Sequence, residues 1–272
     1  ASTLSATAVI YYSELPMLKE LVDSFSESSD ALFARTGISV SLALIDNSDN
    51  ANYFAKLEQF CSLYNSHSLS LTAIKSPSNL GYGGGNNLLL NSLTSKYHLV
   101  INPDVVVQPD TLWQAVKYLD KHNDVMMLSP QVIESDGTTH HVVKTYPNCL
   151  TLLLRYLGSG SLNYRFANRL DRYQCTHLAE HADKNIELAG GCFQFMRTNI
   201  FKQLQGFDDR FFMYFEDYDL SIRIRKHGAI AYVPSVKIAH AGGDVGRKNW
   251  RHHKFFVVSA LRFFTRHGWR LW

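Results

Sequence analysis

The first 130 residues alternate between short apolar runs rich in β-branched side chains and longer segments whose apolar residues recur at helical spacing. This alternation predicts parallel strands joined by right-handed helical crossovers, the doubly wound α/β class. The predicted strands are residues 7–12, 39–45, 69–74, 98–101 and 125–129. In such sheets ligands bind beyond the carboxyl ends of the strands, where Tyr11, Tyr12 and Asp46 lie.

A glycine-rich stretch follows the third predicted strand. Residues 78–88 read Ser-Asn-Leu-Gly-Tyr-Gly-Gly-Gly-Asn-Asn-Leu. Glycines let a backbone approach a ligand closely, and the helix predicted after them offers free N–H groups to phosphate. The stretch lacks the Lys-Ser/Thr of a P-loop and the spacing of a dinucleotide-binding turn, so a glycine-rich connection without a ligand is the alternative.

The fourth predicted strand runs into Asn102, Pro103 and Asp104. A carboxylate at the carboxyl end of a strand, stiffened by a preceding proline, is well placed to hold a hard cation such as Mg²⁺ or Mn²⁺. The same tripeptide is also ordinary turn chemistry. A helix over residues 110–121 is predicted to follow.

The alternation lapses between residues 134 and 184, which indicates an insertion that faces the substrate. A short apolar helix is predicted over 150–157, followed by a basic stretch over 165–172. His140 and His141 would point to opposite faces of a strand, so solvent or acceptor contact is favoured there over a shared metal.

A strand is predicted to resume over residues 186–196 with the pair Gly190 and Gly191 set into it. Such a pair marks a bulge or a close approach by another molecule. A further strand is predicted over 229–233, and His240 follows it before a glycine-rich turn. A single histidine is more often a packed or surface residue than a metal ligand.

The segment 210–223 concentrates aromatic and acidic side chains. Four aromatics and a methionine lead into Glu216, Asp217 and Asp219, and a helical pattern follows. Burying neighbouring carboxylates is costly, because each charge loses hydration and repels the next. The cluster therefore indicates a cation, a shared proton or a general base. Alternatively, the acids occupy the first turn of a helix, where the dipole favours them.

Composition excludes several classes of protein. A chain with 46% apolar and 19% charged residues is typical of soluble globular proteins. Its basic residues are concentrated from Arg247 to Trp272 rather than spread over the folded body, which argues against nucleic-acid binding. No apolar run approaches the ~20 residues of a membrane span, and the first residues lack a signal-peptide layout, so we expect a cytoplasmic protein. The four cysteines lie far apart and are predicted to be reduced thiols.

Taken in order, these segments resemble the family-2 inverting glycosyltransferases of the GT-A fold, and in particular bacterial rhamnosyltransferase-type members. The matching stretches are 9–13, 44–48, 79–87, 102–104, 189–192, 206–208 and 212–219, followed by His240. The resemblance implies a Rossmann-like, mostly parallel central sheet flanked by helices within residues 1–245. Residues 1–130 would form the nucleotide-sugar-binding half, and residues 131–245, with the insertion, the acceptor-binding and catalytic half.

The resemblance also implies a donor site. Its nucleotide-sugar-binding residues would be Tyr11, Tyr12, Asp46, Asn79, Gly83, Asn87 and Asp104. Asp104 stands at the last position of the Asp-x-Asp metal motif of the family, whereas Asn102 replaces the first aspartate. His240 would supply a further ligand to the divalent metal. Without a metal, Arg247 and Lys248 would neutralise the leaving diphosphate instead.

On the acceptor side, Asp217 matches the general base of the family motif, which accepts the proton of the attacking hydroxyl. Glu216 and Asp219 would support it, either by positioning the acceptor or by pairing with Arg223 or Arg225. Acceptor contacts are expected from Gly190, Gly191 and Asp219. A single in-line displacement would invert the anomeric carbon.

The activity so implied is transfer of L-rhamnose from dTDP-L-rhamnose, or of a sugar from a UDP-sugar. The acceptor would be a hydroxyl of a glycan or of a polyprenyl-diphosphate-linked oligosaccharide in bacterial surface polysaccharide synthesis. Two other classes remain open. A sugar-nucleotide nucleotidyltransferase would carry a basic glycine-rich loop beside the first strand, which residues 11–14 lack. A non-catalytic carbohydrate-binding protein would not need to retain both Asp104 and Asp217.

The basic aromatic C-terminal segment, residues 246–272, contains seven Lys/Arg and no acid after Gly246. Helical spacing places Phe256, Ser259, Phe263 and Arg266 near one face. Cations beside large aromatic rings suit a helix that lies on an anionic membrane surface. The alternative is that these aromatics pack on the catalytic domain.

Overall fold

The computed structural model describes residues 4–134, 137–140, 142–157, 164–178, 181–240 and 250–272. Its helices are α1 (Leu15–Thr36), α2 (Ala51–Ser62), α3 (Gly81–Asn87), α4 (Thr111–Lys121), α5 (Cys149–Leu157), α6 (Ala167–Gln174), α7 (Thr198–Gln203), α8 (Glu216–Ile224) and α9 (Trp250–His267). Its strands are β1 (Leu4–Ile10), β2 (Val40–Asp46), β3 (Leu69–Lys75), β4 (Tyr97–Ile101), β5 (Val105–Val107), β6 (Val125–Ile133), β7 (Thr139–His140), β8 (Val143–Lys144), β9 (Leu188–Ala189), β10 (Phe193–Arg197) and β11 (Ala229–His240).

The ends of the first two helices follow from individual residues. Pro16 occupies the first turn of α1, where a missing N–H leaves no hydrogen bond unmade. Gly37 ends that helix in the left-handed conformation, with φ of 70°. The Asn50 side chain caps α2 by accepting hydrogen bonds from the N–H groups of Asn52 and Tyr53. Gly37 thus ends α1 shortly before β2, and Asn50 fixes the start of α2.

The strands form a nine-stranded sheet in the order β3-β2-β1-β4-β10-β6-β11-β5, with β7 paired to β6. The strands β3, β2, β1 and β4 run parallel, as do β6 and β11. Between these two parallel groups lies β10, which is antiparallel to both β4 and β6. The predicted mostly parallel α/β sheet is confirmed, and β10 joins its two halves.

Hydrophobic cores lie on both faces of the sheet. Successive residues of a strand point to opposite faces, so Leu99 belongs to the cluster that packs under α1 and α4, whereas Val100 belongs to the cluster under α7 and α8. Both side chains are fully buried. The carboxyl ends of the central strands therefore emerge between two packed layers.

Three local predictions need correction. The glycine-rich stretch is itself the helix α3 rather than a loop before one. Gly190 and Gly191 lie between β9 and β10 rather than inside one strand, and β9 pairs with β8 in a separate two-stranded sheet. The strand predicted over 229–233 continues to His240 as the twelve-residue β11. In each case tertiary pairing overrides local propensity.

His141 and residues 241–249, which include Arg247 and Lys248, lie outside the described residues.

The C-terminal helix α9 packs on the rest of the molecule. Phe263 and Phe264 are buried in a cluster with Phe211 and Phe215, the aromatic residues that precede α8. The Ser259 hydroxyl donates a hydrogen bond to the Met213 carbonyl at 2.8 Å. The face that the sequence grouped around Phe263 is thus turned inward. No helix in the described part of the chain has the length and hydrophobicity needed to cross a bilayer.

Candidate active site

A cavity of about 440 Å³ opens where α8 begins. It is lined by residues 213–218 at the start of α8, by Tyr82 of α3, by Gly191 and by Phe256 of α9. Asn102 also lines it, just beyond the carboxyl end of β4. The cavity therefore lies at the edge of the sheet where ligands of open α/β folds bind.

The turn that leads into α8 is strained. Tyr214 and Phe215 have φ angles of 70° and 65°, a left-handed conformation that non-glycine residues rarely adopt. Such strain persists only where surrounding packing enforces it, and it is concentrated at functional sites. Here the enforcing contacts include the buried Phe215 ring, which packs 5.3 Å from that of Phe263. The turn sets the direction in which Glu216 and Asp217 leave the backbone.

Asp217 faces the cavity and is held by two backbone donors. Its Oδ2 accepts a hydrogen bond from the Gly191 N–H at 2.8 Å, and its Oδ1 accepts one from the Tyr218 N–H at 2.9 Å. Burial raises the pKa of Asp217 to about 6, although both of these hydrogen bonds act to lower it. Asp217 is therefore ionised at neutral pH, with a proton affinity suited to a general base.

Glu216 is the more deeply buried of the two acids, and its side chain is 6% exposed. Burial, together with the charge on Asp217, raises its pKa well above the ordinary value. Its Oε2 has no hydrogen-bond partner among the described residues. Glu216 thus holds its proton more tightly than Asp217, because two adjacent carboxylates in one low-dielectric pocket disfavour each other's charge. An unpartnered carboxyl of this kind is free to donate a hydrogen bond to a bound ligand.

Asp219 lies away from the cavity. Its carboxylate contacts Arg223 Nε at 2.7 Å, His267 Nε2 at 2.8 Å and Arg266 Nε at 3.2 Å. Burial acts to raise the pKa of Asp219, but these cationic partners hold it below its usual value. The predicted pairing with Arg223 is confirmed. We assign Asp219 to holding α9 against α8 rather than to the acceptor.

The glycines of α3 make close contacts with protein atoms. A Cβ on Gly81 would lie 2.1 Å from the Phe212 carbonyl oxygen, one on Gly83 2.8 Å from the Phe207 Cβ, and one on Gly85 2.7 Å from a Val9 methyl group. These contacts let α3 lie between β1 and the aromatic segment before α8. Gly83 therefore packs on protein where a Cβ would lie, and its predicted contact with the donor stays a prediction.

Asn87 also has a structural partner. Its side chain donates to the Phe207 carbonyl at 2.8 Å and accepts from the Phe207 N–H at 2.9 Å, which uses one donor and the acceptor of the amide. Asn79 is exposed, and its Oδ1 accepts from the Gly81 N–H at 3.1 Å at the start of α3. Of these two predicted donor-binding residues, Asn79 is the one whose side chain remains accessible.

Tyr11, Tyr12 and Asp46 lie together at the carboxyl ends of β1 and β2, as predicted. Tyr11 and Tyr12 are 58% and 44% exposed, and their rings pack edge to face 4.9 Å apart. Asp46 is fully buried and its Oδ2 lies 2.8 Å from Lys75 Nζ. The exposed rings offer flat surfaces for a planar base, whereas the Asp46 carboxylate already has a cationic partner.

Strand pairing brings His240 beside Asp104. The β5–β11 register places His240 opposite Val105, so that His240 Nε2 lies 3.2 Å from Asp104 Oδ1. Neither atom has a well-oriented hydrogen-bond partner among the described residues, although both are buried. Burial acts to raise the pKa of Asp104, but His240 holds it below the usual value. Two such unsatisfied atoms fit two ligands of a divalent cation.

The described residues hold no group of three or more His, Cys, Asp or Glu side chains that could bind a metal without help from a substrate. The oxygens of a bound diphosphate would have to complete the coordination shell of such a cation. Asn102, the remaining predicted ligand, donates its backbone N–H to the Cys192 carbonyl at 2.9 Å, and its side chain lines the cavity. The four cysteines are free, as predicted.

Cys192 lines the cavity, and its thiol is shielded from solvent. Burial raises the pKa of its thiol to about 12, and the charges on Asp104 and Asp217 add to this effect. Of the two predicted acceptor glycines, Gly191 lines the cavity, whereas the Gly190 N–H bonds to the Val142 carbonyl at 3.0 Å.

Sequence reasoning missed several residues of the site. Tyr82 bonds through its hydroxyl to the Gly191 carbonyl at 2.5 Å. The hydroxyls of Tyr173 and Tyr218 lie 3.0 Å apart, and Arg155 Nη1 reaches Tyr173 at 3.3 Å. Arg155 is the only charged residue of the apolar helix α5, which was an available signal. The tyrosines carried no signal, since aromatic residues are common throughout the chain.

The curled, mostly parallel sheet flanked by helices has the architecture of the GT-A fold. A mannosyltransferase, PcManGT from Pyrobaculum calidifontis in complex with GDP-Man and Mn²⁺, shares this fold. The two structures superpose with a TM-score of 0.64 at 15% identity, covering 98% of this chain and 65% of that one.

The chain belongs to glycosyltransferase family 2, because the family described as "Glycosyltransferase like family 2" matches residues 9–256. Rhamnosyltransferase WbbL of Escherichia coli K12 is 26% identical over 196 residues, which are 68% of this chain and 70% of that protein. N-acetylglucosaminyl-diphospho-decaprenol L-rhamnosyltransferase of Mycobacterium tuberculosis is 28% identical over 196 residues. The latter match covers 65% of this chain and 62% of the relative, less than two thirds of its length. The predicted fold and family are confirmed.

Proposed function

We propose that the protein transfers a sugar from a nucleoside-diphosphate donor to an acceptor hydroxyl with inversion of the anomeric carbon, and that Asp217 is its general base. The observation that carries this proposal is the Asp217 carboxylate itself. It lines the cavity, is oriented by the Gly191 N–H and has a pKa of about 6. A buried carboxylate with a raised pKa in a cavity is typical of catalytic acids and bases.

In the proposed step, the acceptor oxygen attacks the anomeric carbon as Asp217 accepts its proton. The bond from that carbon to the diphosphate oxygen breaks, and the nucleoside diphosphate leaves with the electron pair. Glu216, being protonated, would donate a hydrogen bond to a sugar hydroxyl instead of competing for the proton. Tyr82 holds the backbone on the far side of Gly191, which keeps the Asp217 contact in place.

The proposed donor is dTDP-L-rhamnose, with UDP-sugars as the alternative. Support comes from the two relatives named as rhamnosyltransferases. The exposed Tyr11 and Tyr12 rings would stack on the nucleotide base. Asp104 and His240 would hold Mg²⁺ or Mn²⁺, which neutralises charge that builds up on the leaving diphosphate. A bound Mn²⁺ in the mannosyltransferase of similar fold is consistent with this assignment.

The proposed acceptor is a sugar carried on a lipid diphosphate, as the name of the mycobacterial relative describes for that protein. A lipid-borne acceptor would require the enzyme to work at a membrane surface. The outward face of α9 suits that location, since Trp250, Val257 and Leu261 are 68%, 51% and 50% exposed. The basic residues Lys254 and Arg262 are exposed beside them. We propose that this face lies on anionic lipid, with rings at headgroup depth and cations toward phosphate.

The test is incubation with dTDP-L-rhamnose or UDP-hexoses and a soluble N-acetylglucosamine-diphospho-alkyl acceptor, with NMR of the product. Transfer from one donor with inverted configuration at the anomeric carbon is expected. Retained configuration, or release of free sugar without transfer from every donor, would contradict the proposal. The same assay with Asp217→Asn checks that the activity belongs to this site.

A further inference from the structure

A second cavity, larger than the catalytic one, lies beside it. It has a volume of about 620 Å³ and is bounded by α6, by the start of α5 and by the last residues of the chain. Tyr173 lines both cavities and stands between them. We call this second cavity the arginine cleft. None of the donor-side residues Tyr11, Asp46, Asp104 and His240 lines it.

The arginine cleft carries a concentrated positive charge. Its arginines are Arg165, Arg169, Arg172 and Arg270, and its one acidic lining residue is Glu187, which leaves three positive charges uncompensated (four minus one). Glu187 is itself engaged, because its Oε2 accepts a hydrogen bond from a backbone N–H of the cleft wall at 2.7 Å.

The three arginines of the α6 side have no ion-pair partner within the described residues. No carboxylate there lies within 4.0 Å of Arg165, Arg169 or Arg172, even though surface arginines elsewhere, such as Arg35 and Arg210, are paired. Like charges held together without counter-ions repel each other, so an arrangement of this kind is stabilised by a bound anion. Guanidinium groups match phosphate oxygens in geometry as well as charge.

Aromatic and amphipathic surfaces surround these charges. Tyr146 forms part of the wall with the Arg270 guanidinium 4.2 Å above its ring, and Trp272 at the rim is 83% exposed. The neighbouring Trp269 and Leu271 are 52% and 59% exposed. The cleft therefore combines a group of arginines with a neighbouring apolar rim, which match the charged head and the alkyl chain of an alkyl diphosphate.

We propose that the arginine cleft binds the diphosphate of the acceptor, with its alkyl chain leaving over Trp272. This inference rests on the proposed function and names the part of the acceptor that the cleft recognises. The acceptor sugar would lie in the catalytic cavity, on the other side of Tyr173. The hydrogen bonds of the Tyr173 hydroxyl with Tyr218 and Arg155 fix that boundary. Recognition of the acceptor is thus separate from recognition of the donor diphosphate.

The first experiment is calorimetric binding of octyl diphosphate, which contains neither sugar nor nucleotide. Arg165→Ala and Arg172→Ala should each weaken binding roughly tenfold, as expected for the loss of one charge-assisted hydrogen bond. Both side chains are exposed, so folding should be unaffected, and thermal unfolding checks this. Arg225→Ala is the matched control, because Arg225 is an exposed arginine at the end of α8 that lines neither cavity.

The second experiment compares N-acetylglucosamine-diphospho-octyl with octyl N-acetylglucosaminide as acceptors. In the two cleft variants KM should rise roughly tenfold for the diphosphate acceptor alone. KM for the neutral acceptor and for the donor should not change. Suppose that the wild type binds octyl diphosphate, that the variants do not, and that the wild type uses neither acceptor. This result would overturn the proposed acceptor sugar but leave the cleft assignment standing.

Two outcomes would overturn the cleft assignment itself. One is equal binding of octyl diphosphate by the wild type and by both cleft variants, Arg165→Ala and Arg172→Ala. The other is that the wild type does not bind octyl diphosphate but sediments with anionic vesicles, and that the cleft variants lose this sedimentation. In that case the cleft would be a surface for lipid headgroups rather than a site for the acceptor diphosphate.

Discussion

Replacing Asp217 by asparagine should make the protein less active and more stable at the same time. The pKa of Asp217 is raised from 3.8 to about 6, mainly by burial. Each pKa unit corresponds to ~1.36 kcal/mol, so a difference of about two units means that folding disfavours the charged form of Asp217 by ~3 kcal/mol. This is an upper bound on the free energy of unfolding that the neutral variant can gain at pH 7. Turnover should fall ~10²–10⁴-fold, because an amide cannot accept the proton.

The sign of the pH dependence follows from linkage. Between pH 3.8 and about 6 the folded protein keeps a proton on Asp217 that the unfolded chain has lost. The free energy of unfolding of the wild type should therefore fall as pH rises through this window. The contribution of Asp217 to that slope should disappear in Asp217→Asn. Chemical unfolding at pH 4.5 and 7.5, alongside initial rates, measures both effects.

Asp219→Asn is the matched control two positions away. Because cationic partners hold the pKa of Asp219 below its usual value, its charge stabilises the fold above the unfolded-state pKa, and this contribution is lost as pH falls. The control variant should therefore be less stable at pH 7, the opposite of Asp217→Asn. The reasoning is refuted if Asp217→Asn turns over within a few-fold of wild type, or if both variants lose stability alike.

Three further predictions concern other parts of the molecule. Excess EDTA should abolish transfer and Asp104→Ala should weaken donor binding; full activity in EDTA would remove the metal from the mechanism. Gly81→Ala should lower the free energy of unfolding by ~2–5 kcal/mol, because the φ of Gly81 is +74° and the added Cβ would meet the Phe212 carbonyl. Urea unfolding measures this change, and an unchanged midpoint would contradict the packing of Gly81. Trp250→Ser with Leu261→Ser should reduce co-sedimentation with anionic liposomes at unchanged thermal stability, and equal sedimentation would mean that α9 serves packing alone.

Much of the fold of residues 1–130 could be predicted from the sequence because its structure is set by short-range patterns. Helical spacing and caps such as Asn50 define the first elements, and parallel pairing follows from their alternation. The motif around Asp217 also indicated where the cavity lies. Helix geometry could even have separated Asp217 from Asp219, since two residues correspond to ~200° of rotation and hence to opposite faces.

The remaining features depend on contacts that are distant in the chain. Glycine has a low helix propensity, so α3 could not be predicted without knowing that the backbone near Phe212 comes within contact distance of Gly81. His240 meets Asp104 only because β11 continues past its predicted end and pairs with β5. The arginine cleft likewise joins α6 to the C-terminal residues, which no local pattern relates.

The position of β10 limits how this enzyme can be divided. It supplies the hydrogen-bonding partner of β4, yet it comes from sequence almost one hundred residues later. A fragment that ends near residue 130 would leave the edge of β4 unpaired, and a bare strand edge invites association with other chains. Engineers who wish to exchange residues 1–130 between relatives should therefore transplant β10 together with them. The separable module of this enzyme is not contiguous along the chain.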